Sequence, residues 1–113
     1  MKYRVTIHPD ATEDIRRNAR WWAEHHSQEQ ALAWYDNALA SLYGLDHCPE
    51  SHALSRENDD FPYEIRDLLF GLGSRPSYRA IFTIQGNVVH VLTVQRGAQD
   101  TVQPENVAFD PDK

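Results

Sequence analysis

A two-residue glycine–asparagine step in the C-terminal part of the sequence constrains the fold more than any other feature. Gly86 and Asn87 separate two runs rich in β-branched and aromatic residues, Tyr78–Ile84 and Val88–Arg96. Both residues tolerate the positive φ angles that the tight turns of β-hairpins require. The sequence therefore predicts an antiparallel hairpin whose strands pair without interruption outward from this turn.

The uninterrupted register divides the side chains of this hairpin between two faces of different character. One face is apolar and suits a core beneath helices; it carries Tyr78, Ala80, Phe82, Ile84, Val89, Val91 and Thr93. The other face mixes cationic and aliphatic side chains, namely Arg79, Ile81, Thr83, His90, Leu92, Val94 and Arg96, with Arg79 directly across from Val94. A solvent-facing sheet surface would be more uniformly polar. We therefore expect a cover on the mixed face, either the C-terminal tail or a partner chain.

The residues before the hairpin contain one strand pattern, two helix patterns and a further strand pattern. Polar and apolar residues alternate over Lys2–Ile7, as in a half-buried strand. Apolar residues then recur at helical spacing over residues 11–23 and again over residues 31–42. After a polar loop, Glu64–Phe70 is another strand candidate. The predicted order is β-α-α-β-β-β, which an α+β fold satisfies when a helical hairpin packs on one face of a mainly antiparallel four-stranded sheet.

Local signals refine the boundaries of these elements. Asp10 with Glu13, and Ser27 with Gln30, have the spacing of capping boxes and predict the two helix starts. The acidic run at residues 57–60 is expected to be a solvated loop. We expect a single domain over residues 1–100 and an irregular tail over residues 101–113, from which Val107 and Phe109 can dock back onto the domain.

Composition excludes several classes of protein. The chain has 113 residues, of which 41% are hydrophobic, enough for one packed domain. No apolar run approaches the roughly 20 residues that cross a bilayer. The single cysteine cannot form an internal disulfide, and the N-terminus does not read as a signal peptide, so we expect a cytoplasmic protein. A formal net charge of −6 argues against a general nucleic-acid binder.

A metal site is not indicated by the sequence. Cys48 lies near His47 and His52, but no fourth ligand follows at a defined spacing. We therefore expect neither a metal nor another cofactor.

The hairpin segment resembles the C-terminal core of the RelE/ParE toxin superfamily. In that family a Tyr-Arg dipeptide, here Tyr78-Arg79, opens a strand, a tight turn follows, and the next strand is rich in valine and leucine. Glu64–Gly71 looks like the family's preceding strand, His8–Ala11 and the helix opening with Asp14-Ile15 also look typical, and the resemblance covers roughly residues 3 to 100.

The resemblance implies the toxin of a type II toxin–antitoxin system, of the kind associated with plasmid stabilization. It also implies a cognate antitoxin that wraps the toxin with a helix and an extended segment. We expect the antitoxin to cover the mixed face of the hairpin, at Arg79, Ile81, His90, Leu92, Val94 and Arg96.

Two broad activities occur in this superfamily. RelE-like toxins cleave mRNA in the translating ribosome, whereas ParE-like toxins inhibit DNA gyrase and have no known hydrolytic chemistry. Metal-free RNA cleavage needs an activated 2′-oxygen, a stabilised phosphorane and a protonated leaving oxygen. If this chain is RelE-like, the catalytic candidates are Arg66, Arg79 and Arg96.

The sequence departs from the nuclease pattern in two respects. There is no lysine between Lys2 and Lys113, and no tyrosine follows Arg96. We therefore favour a ParE-like growth inhibitor. The alternative is a ribosome-dependent endoribonuclease, so the sequence leaves open whether the chain is an enzyme. A third interpretation, suggested by the few basic residues, is a non-toxic interaction module on the same scaffold.

Overall fold

The computed structural model describes residues 2–73, 76–97 and 101–111, and its elements follow the predicted order. The elements are strand β1 (Arg4–Ile7), helices α1 (Pro9–His25) and α2 (Gln28–Tyr43), and strands β2 (Arg66–Phe70), β3 (Tyr78–Gln85) and β4 (Val88–Arg96). Among these described residues, no helix has both the length and the apolar character needed to cross a bilayer.

The four strands form one mixed sheet in the order β1-β4-β3-β2. β1 runs parallel to β4, with Val5 opposite Val89, whereas β3 is antiparallel to both of its neighbours. The helical hairpin covers one face of this sheet, so the predicted α+β architecture is confirmed.

The main core lies between the helices and the sheet. Trp34 and Leu42 of α2 pack with Phe82 of β3 and are fully buried. Burial of each such side chain contributes about 1.5–3 kcal/mol. The Trp22 indole N–H donates a hydrogen bond of 3.0 Å to the hydroxyl of Tyr78 and so joins α1 to the start of β3.

The hairpin contains a β-bulge that corrects the predicted register. Pairing runs as predicted from the turn to Phe82 opposite Val91, but Ile81 then lies opposite Thr93, so that Leu92 is an extra residue on β4. Arg79 therefore lies opposite Gln95, not opposite Val94.

Beyond the extra residue, the side chains of β4 lie on the opposite faces of the sheet from those predicted. Val94, predicted for the mixed face, is buried in the core beneath the helices. Arg96, also predicted for the mixed face, lies beside Tyr78 and places its guanidinium 4.4 Å from the ring centre of Trp21 on α1. Both face assignments were wrong because a bulge inverts the alternation of side chains beyond it.

Only one of the two predicted helix starts has its capping bond. The Ser27 hydroxyl accepts the backbone N–H of Gln30 at 3.1 Å, as predicted for α2. Helix α1 instead begins at Pro9, one residue before the predicted cap, and its N-cap residue His8 makes no side-chain capping bond. Proline suits the first helical position because its missing N–H would have no partner there.

The second face of the sheet is covered by the chain itself. Ile81 and Leu92 are buried against two segments outside the sheet: the loop after α2, which contributes Phe61, and the tail, which contributes Val102. Tyr63, Val107 and Phe109 pack around this smaller core. The two predicted covers were the C-terminal tail and a partner chain. In the structure the tail covers this face, together with the loop after α2.

Candidate functional site

A buried ionic network lies on the second face of the sheet, around Arg79 of β3. The Arg79 side chain is only 3% exposed. Its Nη1 donates to Oε1 of Glu57 at 2.9 Å and its Nη2 to Oε2 of the same carboxylate, which makes the pair bidentate. Nη2 also donates to Oε1 of Gln95 at 3.1 Å, and Asp67 Oδ2 lies 3.3 Å from Nη1.

Glu57 is the central acceptor of this network, although its acidic run was predicted to be solvated. It is 6% exposed. Besides Arg79, it accepts the Ser55 hydroxyl at 3.0 Å and the backbone N–H of Val102 at 2.9 Å. Burial alone would raise the pKa of this carboxyl, but the hydrogen bonds from Arg79, Val102 and Ser55 outweigh it and lower the pKa to about 2. Glu57 is therefore ionised over the physiological pH range.

The network joins five parts of the chain: the loop, β2, β3, β4 and the tail. An arginine whose donors already meet two carboxylates is poorly placed to stabilise an incoming phosphate. Arg79 thus holds the tail and loop against the sheet. Sequence reasoning singled out Arg79 but missed Glu57 and Asp67, because partners 22 and 12 residues away leave no periodic signal.

The three arginines proposed as nuclease residues do not converge. Arg66 lies opposite Phe82, hence on the helix-covered side, and donates to the carbonyl oxygens of His52 at 2.6 Å and Glu50 at 3.2 Å. Arg79 lies on the other side of the sheet, and Arg96 lies over Trp21 at the end of β4. A nuclease needs these groups around one phosphate.

The residues predicted for antitoxin contact are mostly covered. Arg79, Ile81 and Leu92 are buried on the second face, and Val94 is buried on the first; of the six, only Arg96 is exposed and His90 half-buried.

His90 belongs to a small aromatic cluster where β4 meets the start of α1. His8 Nε2 lies 2.8 Å from His90 Nδ1, and Phe109 of the tail packs on both rings. Burial lowers the pKa of both imidazoles, and for His90 the neighbouring His8 and Arg4 lower it further.

A polar cleft of about 570 Å³ separates α1 from the end of β4 and the tail. On its wall, Asp14 Oδ2 accepts the Thr93 hydroxyl at 2.9 Å and the Val94 N–H at 3.0 Å, while Arg17 neutralises the same carboxylate. Asp14 therefore has a structural role, joining α1 to β4. Across residues 2–73, 76–97 and 101–111, no cluster of three histidine, cysteine or acidic side chains is arranged to hold a metal ion.

The outer surface of the helical hairpin carries an apolar groove that the sequence analysis did not identify. Leu32, Tyr35, Leu39 and Tyr43 form a second stripe along α2, and Leu32 is 63% and Tyr43 54% exposed. The spacing of three, four and four residues was visible in the sequence. It was not recognised as a separate stripe because the buried stripe of α2 runs beside it.

Comparison with known proteins identifies the family of this chain and a solved structure with a similar fold. A family model described as the ParE toxin of the type II toxin–antitoxin system, parDE, matches residues 5–101. The solved structure titled "Chromosomal ParDE TA system from P. aeruginosa" superposes with a TM-score of 0.69 and 17% sequence identity, covering 85% of this chain and 97% of that chain. A search of curated proteins found no match.

Proposed function

Because the chain belongs to the ParE toxins of type II toxin–antitoxin systems, we propose that it arrests growth by inhibiting DNA gyrase, without cutting RNA. A cognate antitoxin neutralises it. The separation of Arg66, Arg79 and Arg96 carries the non-nucleolytic part of the proposal. Two of these arginines donate their hydrogen bonds to protein carbonyls or carboxylates, and the third stacks on an indole.

The proposal is tested by expressing the chain in a bacterial host from an inducible promoter. We expect growth arrest, relieved by co-expression of the neighbouring antitoxin reading frame. Primer extension on translated mRNA is expected to give full-length products, while the purified chain inhibits supercoiling by gyrase. New 5′ ends within coding regions on induction would overturn the proposal in favour of the ribosome-dependent endoribonuclease.

We propose that the antitoxin contacts the second face of the sheet, which the tail covers in this structure. The tail contributes few groups to this face: the backbone N–H of Val102 bonded to Glu57, and the apolar side chains of Val102, Val107 and Phe109. An extended antitoxin segment can supply the same groups, one N–H and a few apolar side chains. We therefore propose that the antitoxin takes the place of the tail and contacts Ile81 and Leu92.

Competition between tail and antitoxin gives a direct test. Phe109→Ala weakens the packing of the tail on the second face. The state in which this face is open to the antitoxin is then more populated, so the antitoxin binds more tightly. Leu54→Ala is the control, because Leu54 is 45% exposed and lies opposite Arg66, on the other side of the sheet. Calorimetric titration with the purified antitoxin is expected to show a lower Kd for Phe109→Ala only. A raised Kd would mean that the tail itself forms part of the contact surface.

A further inference from the structure

The polar cleft between α1, the end of β4 and the tail has a volume of about 570 Å³, which is within the range of small binding sites. It forms because β1 and β4 differ in length. β1 pairs with β4 only as far as Ile7 opposite Val91, so the last residues of β4, up to Arg96, have no strand on this side. Helix α1 lines one side of this gap, and the tail closes the other with Thr101 and Asn106.

Arg96 is held in the wall of this cleft by aromatic side chains of α1. Its Cζ lies 4.4 Å from the ring centre of Trp21, and Trp21 itself stacks on His25 and packs edge-on against Trp22. Trp22 is in turn bonded to Tyr78, which lies opposite Arg96 on β3. Within the part of the chain that the structure describes, Arg96 forms no ion pair. The result is a fixed, planar cation whose hydrogen-bond donors are available to a ligand.

The carboxylate of Asp14 in the same wall does not make the cleft acidic. Its Oδ1 pairs with Arg17, and its Oδ2 accepts the Thr93 hydroxyl and the Val94 N–H. Asp14 is the only acidic side chain among the described residues that line the cleft. Because Arg17 neutralises it, the charge that remains in the cleft is that of Arg96.

Gln95 adds a neutral donor next to Arg96. Its Oε1 accepts a hydrogen bond from Arg79 at 3.1 Å, so the Nε2 amide group is the end that is left for a ligand. The hydroxyl of Thr101 and the amide of Asn106, which can also donate, line the opposite wall. The cleft therefore combines the Arg96 cation with several neutral donors. Such a site favours an oxyanion, which accepts hydrogen bonds and carries negative charge.

We propose that the cleft binds a carboxylate side chain from an acidic segment of the toxin's protein target. The planar guanidinium of Arg96 can donate two parallel hydrogen bonds to one carboxylate. A phosphate backbone is the poorer match, because nucleic-acid binding needs several cations along an extended surface and this chain has a net charge of −6. The proposal rests on the proposed function for the identity of the target, and it deepens that function by naming the contact surface.

The tail connects this cleft with neutralisation by the antitoxin. Thr101, Val102 and Asn106 form the tail's wall of the cleft, and Val102 also packs on Ile81 and Leu92 of the second face. An antitoxin that takes the place of the tail on the second face removes this wall. Target and antitoxin therefore exclude each other without having to contact the same atoms.

Titration of the purified full chain with an acidic peptide tests the cleft in the absence of any target. The probe is N-acetylated tetraglutamate, followed through the NMR signals of the Trp21 indole N–H and the Gln95 side-chain amide. We expect saturable shifts in the wild type. Arg96→Gln is expected to raise the Kd about tenfold or more, the effect of losing a hydrogen bond to a charged group. Arg96→Lys keeps the charge but not the planar fork and should give an intermediate Kd.

Arg16→Gln is the matched control, because Arg16 is an exposed arginine of α1 that lies outside the cleft. Circular dichroism establishes that the variants are folded. The proposal is overturned if the wild type gives no saturable shifts, or if Arg96→Gln binds the peptide as the control does. Tighter binding of a single-stranded oligonucleotide of the same charge would also overturn it, because the cleft would then suit a nucleic acid.

Inhibition of gyrase supercoiling connects the cleft with the target. Arg96→Gln is expected to raise the inhibitory concentration about tenfold or more and to leave the Kd for the antitoxin unchanged, because Arg96 lies over Trp21 and not on the tail-covered face. Unchanged inhibition by this variant, or an equal loss of antitoxin binding, would contradict the proposed contact. A wild type that binds the peptide but does not inhibit gyrase would instead refute the proposed function and leave the ligand of the cleft as assigned.

Discussion

Replacement of Glu57 by glutamine tests the ionic network that fastens the tail to the sheet. Glutamine keeps the size of the side chain and one acceptor oxygen but removes the charge that faces Arg79. Arg79 then stays buried, with Asp67 as its remaining ion-pair partner among the residues of this network. Removing one member of a buried pair costs more than the pair itself contributes, because the other charge is left poorly compensated.

Two independent routes give the expected size of the effect. The pKa of Glu57 falls from the usual 4.5 to about 2 in the folded chain, and at about 1.4 kcal/mol per pH unit this corresponds to about 3 kcal/mol of stability. Breaking a buried ion pair by mutation typically costs about 3–5 kcal/mol. A loss of about 3 kcal/mol is a large part of the roughly 5–15 kcal/mol of a typical domain.

The sign of the pH dependence follows from the lowered pKa. The unfolded chain binds a proton at Glu57 more readily than the folded chain does, so this stabilisation is fully present above about pH 4.5. It is lost progressively as the pH falls from there towards about 2. In the glutamine variant this contribution is absent at every pH.

Urea unfolding at pH 7 and at pH 3 is the appropriate assay. We expect Glu57→Gln to lower the free energy of unfolding by about 3 kcal/mol at pH 7 and to lose less stability than the wild type on going to pH 3. Glu24→Gln, at an exposed position on α1, is the control and should behave as the wild type does. The reasoning is refuted if Glu57→Gln is as stable as the control at pH 7, or retains the full acid sensitivity of the wild type.

Three further predictions concern other parts of the fold. Leu42→Ala should lower the free energy of unfolding by about 2–5 kcal/mol in urea titration, because it opens a cavity in the main core; a smaller loss would mean that the core relaxes around it. Ser27→Ala should cost about 1 kcal/mol through loss of the α2 cap, and no change in the urea midpoint would contradict this. The lowered pKa values of His8 and His90 make protonation destabilising as the pH falls below about 6.5. His8→Asn should flatten this part of the stability profile, and an unchanged slope would exclude a contribution from His8.

The order of elements and the helix-covered core could be predicted because they rest on local periodicity. The alternation in β3 and the helical spacing around Trp34 each repeat many times within one element. A repeating pattern of this kind is recognisable even when the predicted ends of a helix or strand are slightly wrong. The turn at Gly86 likewise fixed the first pairs of the hairpin correctly, since its geometry is local.

The register beyond the bulge and the partners of Arg79 could not be predicted in the same way. The bulge at Leu92 has no glycine or proline to mark it, and it changes the face of every later residue on β4. The pairing of Arg79 with Glu57 depends on how the loop after α2 folds back over the sheet. The acidic run looked like an ordinary solvated loop because nothing in its own sequence indicates a buried cation.

The position of β4 has a consequence for the order in which the sheet is completed during synthesis. β4 is the last strand to leave the ribosome, yet it lies inside the sheet, between the first strand and β3. A nascent or truncated chain that ends before Val88 has no strand to which β1 can be joined, although β1 was made more than 80 residues earlier. A chain that ends before Val88 therefore lacks the strand that joins β1 to the rest of the sheet, and we expect the complete sheet to form only after β4 has been made.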